Sequence, residues 1–145
     1  MTTSSLPIRQ TLLYLMADNS KLRRAKIQTR LEAIGLHRGQ QFILAALWEQ
    51  EGLTHSELAE LLIVTPATIT NGLKRMEKAG LVERRPDPKD QRISRVYLTQ
   101  VAWKVRERVE AIWHQFEADV LTGFSDEEKA ILRELELRMK KNLLT

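Results

Sequence analysis

Between residues 54 and 99 the chain changes its local preference three times, and that succession leaves few folds open. Thr54-His55-Ser56-Glu57 has the S/T-x-x-E form of a capping box, so a helix starts there. Leu58, Ala59, Leu61 and Leu62 are expected on its inward side. Within about three residues, at Ile63-Val64-Thr65, the chain restarts as a second helix with Thr65 as N-cap and Pro66 at the first helical position. That helix stops at Gly80. Residues 81–84 and 95–98 then alternate as short strands do. Pro86-Asp87-Pro88-Lys89-Asp90 between them cannot be helical and reads as a hairpin tip. Two helices joined by so short a turn, followed by a hairpin, make a winged helix-turn-helix. Ala59 is small enough to let the helices approach, and Val64 and Ile69 are expected to be buried and to fix their angle.

The flanks are helical and long. The first helix is expected over 6–34, ending at Gly35. The second spans about 38–50, with Phe42, Leu44, Ala45, Leu47 and Trp48 as its apolar side, and stops at Gly52. Thr99 caps a fifth helix whose stripe is Val101, Val105, Val109, Ile112, Phe116 and Val120. Those steps of three and four are the spacing of a helix packed along another. Ser125-Asp126-Glu127-Glu128 is a second capping box and opens a sixth helix that runs to the end of the sequence. The fold class is therefore mainly α, a winged helix-turn-helix (α+β) with long N- and C-terminal helices, six helices and a wing of two to three strands. Residues 36–99 form the winged unit, and 1–35 with 100–145 form a helical dimerisation region. The first, fifth and sixth helices are too long and too apolar to be covered by so small a central unit. A second copy covers them most economically, which predicts a two-fold homodimer.

Composition narrows the function. Apolar residues make up 43% and charged residues 29% of the 145, which is ordinary for a folded domain and argues against disorder. The net charge of +4 says little until its distribution is seen. From residue 65 to 95, Lys74, Arg75, Lys78, Arg84, Arg85, Lys89, Arg92 and Arg95 face only Glu77, Glu83, Asp87 and Asp90. A second basic stretch carries Arg9, Lys21, Arg23, Arg24, Lys26 and Arg30 against Asp18. There is no cysteine, so disulfides, thiolate nucleophiles and cysteine-ligated zinc are excluded. His37, His55 and His114 lie far apart without ligand-like spacing. No phosphate-binding glycine loop or nucleophile motif appears, so neither an enzyme nor a cofactor is expected. Residues 1–7 lack the form of a secretion signal and no run approaches a membrane span, which predicts a cytoplasmic protein.

The chemistry of the winged unit suits duplex DNA. A recognition helix enters the major groove with its N-terminal residues. Here those are Thr65, Pro66, Ala67, Thr68, Thr70 and Asn71, followed by Lys74 and Arg75. Asn71 can pair with an adenine edge, the threonines and Ala67 can meet thymine methyl groups, and the cations suit phosphate or guanine. On the wing, Arg92 sits at the tip beside Lys89, where the negative potential of a narrow minor groove attracts guanidinium groups. A carboxylate next to DNA is repulsive, so Asp90 is expected to brace an arginine or a backbone amide. Arg84, Arg85 and Arg95 on the hairpin stems suit phosphates, as do His55 and Ser56 at the start of the third helix. The competing reading is a winged helix that binds another protein, which would call for an apolar or acidic outer face on the fourth helix.

Over essentially its full length the chain resembles the MarR (multiple antibiotic resistance regulator) family of transcription factors. Leu58-Ala59, residues 65–70, Gly80-Leu81-Val82-Glu83-Arg84, and Asp90-Gln91-Arg92 followed by Val96-Tyr97-Leu98-Thr99 carry the resemblance. It implies a triangular dimer on a pseudo-palindromic double-stranded operator, most often as a repressor. Thr68, Thr70, Asn71, Lys74 and Arg75 would then lie in the major groove and Arg92 in the minor groove, with Asp90 holding the wing. The family often has a basic residue where this chain has Asn71, and a glycine where it has Ala102. The resemblance also implies a small aromatic or anionic effector, for which Tyr14, Arg24, Trp48 and Trp113 are lining candidates by type. The lack of cysteine argues against regulation by thiol oxidation.

Overall fold

The computed structural model describes residues 5–145; the first four residues of the expected 1–35 region lie outside it. Two compact units are present, one ending at Ile112 and the other covering Trp113–Thr145. The division falls inside a helix.

In the first unit, a short 3-10 turn at Ile8–Gln10 precedes α1 (Leu12–Glu32), so the first helix is broken where an unbroken one over 6–34 was expected. Thr11 is the cause. Its backbone is extended and its hydroxyl accepts from the Tyr14 amide at 3.2 Å, which caps a new helix and ends the preceding turn. Helix α2 (Gln40–Glu49) buries Ile43, Leu44, Ala46, Leu47 and Trp48. The expected Phe42 and Ala45 are exposed, so the buried arc is shifted by one residue at two positions. Strand β1 (Leu53–Thr54) leads into α3 (His55–Leu62), and α4 (Pro66–Lys78) follows. Then come β2 (Val82–Pro86), β3 (Ser94–Leu98) and α5 (Gln100–Val120), which crosses the boundary between the units.

The three strands form one antiparallel sheet in the order β1-β3-β2, so the wing has the larger of the expected strand counts. Leu53 pairs with Val96, and Val82 with Leu98, placing apolar residues on the inner face. Leu31, Leu36, Leu44, Leu47, Leu58, Ile69, Leu73, Met76 and Val96 are the largest fully buried side chains, and they draw α1, α2, α3, α4 and the sheet onto one core. At Gly72 the helices approach closely: a Cβ would stand 3.2 Å from Ile43 Cδ1, and that side chain would have to give by a few tenths of an ångström. Gly52 turns the chain from α2 into β1 with a φ of +81°, where a side chain would also crowd Tyr97.

The helix-turn-helix corner differs from expectation in two ways. Ala59 and Ile69 are buried as expected, but Val64 is 40% and Leu61 57% exposed. The chain turns at Ile63, which takes the left-handed conformation (φ +56°, ψ +48°) at the end of α3. That tight turn leaves both side chains outside the angle between the helices. The predicted capping box is also only half formed. Thr54 Oγ1 accepts from the Glu57 amide at 3.1 Å, while the Glu57 carboxylate faces Arg95 at 3.8 Å.

The second unit contains the end of α5 and helix α6 (Asp126–Leu143). Its capping box is complete, with Ser125 and Glu128 exchanging both bonds. No residue of α6 is buried. Val120, Phe124, Ile131, Leu135 and Leu137 are all at least 41% exposed.

Candidate nucleic-acid interface

Helix α4 is built to present its first turns. Thr65 caps it by accepting from the Thr68 amide at 3.2 Å, and the two hydroxyls are 2.9 Å apart. Ile69, Leu73 and Met76 are its buried stripe. Thr65, Pro66, Ala67, Thr68, Asn71, Lys74 and Arg75 consequently lie exposed, and Thr70 is half-buried. Among the described residues neither Lys74 nor Arg75 enters an ion pair, so their charge is not neutralised within the chain. Ser56 is exposed in the first turn of α3.

His55 is turned the other way. Its Nδ1 is 3.4 Å from Thr70 Oγ1 across the helix-turn-helix, and its Nε2 is buried without a hydrogen-bond partner. Burial, with Arg84 adding to it, holds its pKa below the ordinary imidazole value against the opposing pull of Glu77. The expected phosphate contact therefore does not fit this ring, which ties α3 to α4 instead.

The hairpin stems follow the same logic. Arg84 makes a two-pronged bond to Glu77, both distances 2.9 Å, and locks β2 to α4. Arg85 pairs with Glu83 and lies 4.2 Å over the Tyr97 ring. Arg85 and Arg95 are directly opposite in the sheet, a repulsive placement that these separate partners relieve. Arg95 Nε donates to Asp87 Oδ2 at 2.6 Å and Nη1 to the Gly52 carbonyl at 2.8 Å. Arg84, Arg85 and Arg95, expected at phosphates, thus each have a partner within the chain, and the Arg84 and Arg85 side chains stay partly exposed beside theirs.

The organiser of the tip is Asp87, which sequence reasoning passed over. It is 8% exposed and accepts from the Lys89 and Asp90 amides, at 2.7 and 3.2 Å, as well as from Arg95. The Arg95 bond and those amides hold its carboxyl below the usual range. An aspartate two residues before a hairpin-tip amide is an Asx-turn signal, and it was available in Asp87-Pro88-Lys89. At the tip, Asp90 accepts from Arg92 Nε and Nη2 at 3.1 and 3.2 Å and from its amide at 3.0 Å, as expected of a brace. The bonds from the Arg92 side chain and then its amide hold the Asp90 carboxyl below its usual range. Arg92 remains 91% exposed, so it is aimed without being covered. Lys89 is exposed beside it.

The four effector candidates have unlike surroundings. Trp48 is 8% exposed and its Nε1 donates to the Ala102 carbonyl at 3.2 Å, so it is core and fastens α2 to α5. Tyr14 is half-buried on α1, Arg24 lies on an open basic cleft, and Trp113 belongs to the second unit.

A braced cationic hairpin beside an exposed helix N-terminus, on a three-stranded sheet, defines a winged helix-turn-helix of the kind found in transcriptional regulators. The MarR family model matches residues 36–94. The HTH-type transcriptional regulator YwoH of Bacillus subtilis is 31% identical over 122 residues, covering 84% of this chain and 88% of its own length. Transcriptional regulator HosA of Escherichia coli O111:H- is 31% identical over 104 residues, 72% of this chain and 77% of its own. Among solved structures, the transcriptional regulator SlyA superposes with a TM-score of 0.86 at 25% identity, over 92% of this chain and 94% of that one. The S. aureus MepR–DNA complex gives 0.84 at 27%, over 91% and 98%. The chain belongs to the MarR family of transcriptional regulators.

Proposed function

We propose that this regulator binds a pseudo-palindromic DNA operator as a homodimer, each subunit taking one half-site about one helical turn from the other. Residues 36–99 act as the reading unit, and 1–35 with 100–145 as dimerisation helices. Helix α4 enters the major groove, where Ala67, Thr68, Thr70 and Asn71 meet base edges and Ser56, Thr65, Lys74 and Arg75 meet phosphates. Arg92 enters the minor groove with Lys89 beside it. The observation that carries this reading is Arg92, 91% exposed yet oriented by three bonds to Asp90. A cation held in place and left in water is pre-organised for an anionic partner. His55, Glu77, Arg84, Asp87 and Arg95 position these groups.

The dimer is supported by the apolar surface of α1 and α6. Leu12, Leu13, Leu15 and Leu22 on α1, and Ile131, Leu135 and Leu137 on α6, are all at least 42% exposed. Exposed apolar side chains on each of these helices suit an association face. No helix among the described residues is long and apolar enough to cross a membrane, so lipid is not what these faces are built to span. We place the protein in the cytoplasm, as a repressor without catalytic activity. Release by a small effector is supported by one joint. Thr99 caps α5 by accepting from the Ala102 amide at 3.4 Å and donates to the Gly80 carbonyl at 2.5 Å, just past the end of α4. A shift of α5 would carry the reading helix with it.

Selection of bound duplexes from a random pool, followed by affinity against salt, tests the reading. A palindromic consensus with a slope of several units in log K against log salt is expected if roughly six or more phosphates are neutralised. Absence of any enriched sequence would overturn it in favour of a protein-contact module.

A further inference from the structure

The second basic stretch is not used by the reading head. On α1, Lys21, Arg23, Arg24, Lys26 and Arg30 follow one another with no acid between Asp18 and Glu32. Lys21, Arg24, Ala25 and Gln28 line an open cleft that Arg38, from the loop between α1 and α2, completes. All three cations are exposed, and among the described residues none of the three enters an ion pair. The nearby acid on the helix, Glu32, accepts from Gln28 Nε2 at 3.1 Å. The same amide nitrogen is 3.4 Å from the Leu36 carbonyl, which ties the loop bearing Arg38 back to α1. Ile27, Leu31 and Leu36 are buried beneath, so the cleft is fixed to the unit that holds the helix-turn-helix.

Three like charges gathered round one cleft repel each other, and the chain supplies little to offset them. Water and counterions screen them in the free protein, and a phosphate backbone laid across the cleft would release those counterions. A small-molecule site is concave and mostly apolar, and encloses its ligand. This cleft is open and rimmed by three cations, so it does not enclose a ligand. Arg23 and Lys26 lie on the opposite side of α1 and take no part in it; an open cleft rimmed by cations suits a polymer lying across it better than a single enclosed anion.

We infer that Lys21, Arg24 and Arg38 form a separate phosphate-binding cleft that grips the DNA backbone flanking the half-site read by α4 and the wing. The inference rests on the operator-binding reading above. It moves Arg24 from the expected effector pocket to a polyanion contact.

The full-length protein is titrated onto the selected operator in two duplex lengths, the core alone and the core with about ten base pairs added on each side, one helical turn. Wild type is compared with the triple variant Lys21→Gln, Arg24→Gln, Arg38→Gln over a range of salt. On the long duplex the slope of log K against log salt should become shallower by about 2–3 for each subunit, at roughly 0.9 per phosphate. Affinity there should drop at least about tenfold. On the core duplex the two proteins should bind alike. The double variant Arg24→Lys, Arg38→Lys keeps the charge and should keep the long-duplex slope. An unchanged slope on long DNA overturns the inference. So does an equal loss on both lengths, and so does loss of release by inorganic phosphate or a small aromatic acid with the slope intact. Wild type that selects no duplex overturns the operator reading itself, and this inference with it.

Discussion

The wing and the last helix are of similar sequence length but settle their side chains in opposite ways. On the wing nearly every charge finds a partner within the chain: Arg84 on Glu77, Arg85 on Glu83, Arg95 on Asp87, Arg92 on Asp90. Helix α6 is capped as completely as any helix here, yet buries nothing. Its hydrogen bonds are local and its apolar face is not. An isolated helix is marginal in water without such a face being covered. The wing is thus specified by the chain alone, whereas the exposed apolar side chains of α6 are what we propose a second copy covers.

The severest way to break that contrast is to remove α6. A chain ending before Ser125 should be monomeric in sedimentation and should bind a full operator roughly 100-fold or more weakly, because the two half-sites no longer act together. The winged unit's own secondary structure should survive. A truncated chain that stays dimeric and binds normally would show that α6 was never the interface.

Within the reading unit, the contrast predicts two kinds of loss. Arg92→Ala removes a pre-aimed minor-groove cation and should weaken binding most where the flank is A·T-rich, with a salt slope shallower by about 0.9 per subunit. Asn71→Ala should relax preference at one base position, by roughly 1–3 kcal/mol. Uniform weakening across all sequences in the Asn71 variant would assign it to phosphate instead.

The fold was legible because its punctuation is local. Thr65-Pro66, Ser125 with Glu128, and the prolines at the hairpin tip each act within four residues, and each stands where the sequence placed it. Asp90 as a brace was legible for the same reason. What escaped depends on three-dimensional neighbours. Arg84, Arg85 and Arg95 look like free cations in sequence, but Glu77 is seven residues from Arg84 and Gly52 is 43 from Arg95. Phe42 and Leu61 have the right type for a core but lie on the wrong arc of short helices. Asp87 reads as one more tip acid until its three donors are seen.

Acid should separate the elements of the reading unit in order. The His55 pKa lies below its unfolded value, so its contribution to stability is full above about pH 6.5 and is lost as pH falls through the folded value. Asp87 and Asp90 are also depressed, and their contributions persist until pH falls below the unfolded value near 3.9. The unfolding midpoint in urea should therefore decline in two stages. His55→Gln should flatten the first and leave the second. A first stage that survives the substitution would mean that another group, outside the helix-turn-helix, is titrating.

The smallest effect tests the corner between the two halves of the reading unit. Ile63 holds a left-handed backbone with its side chain 63% exposed, so it gains little from burial to offset the steric cost of a β-branched residue there. Glycine adopts that conformation freely but loses more backbone entropy on folding. The strain of a bulky residue is about 1–3 kcal/mol and the entropy term about 0.5–1, so relief should win. Ile63→Gly should raise stability by about 1 kcal/mol in chemical denaturation, with operator affinity unchanged. A destabilised variant would mean that the exposed side chain is covered in the dimer or on DNA, and that this corner, unlike the wing, is specified by a partner.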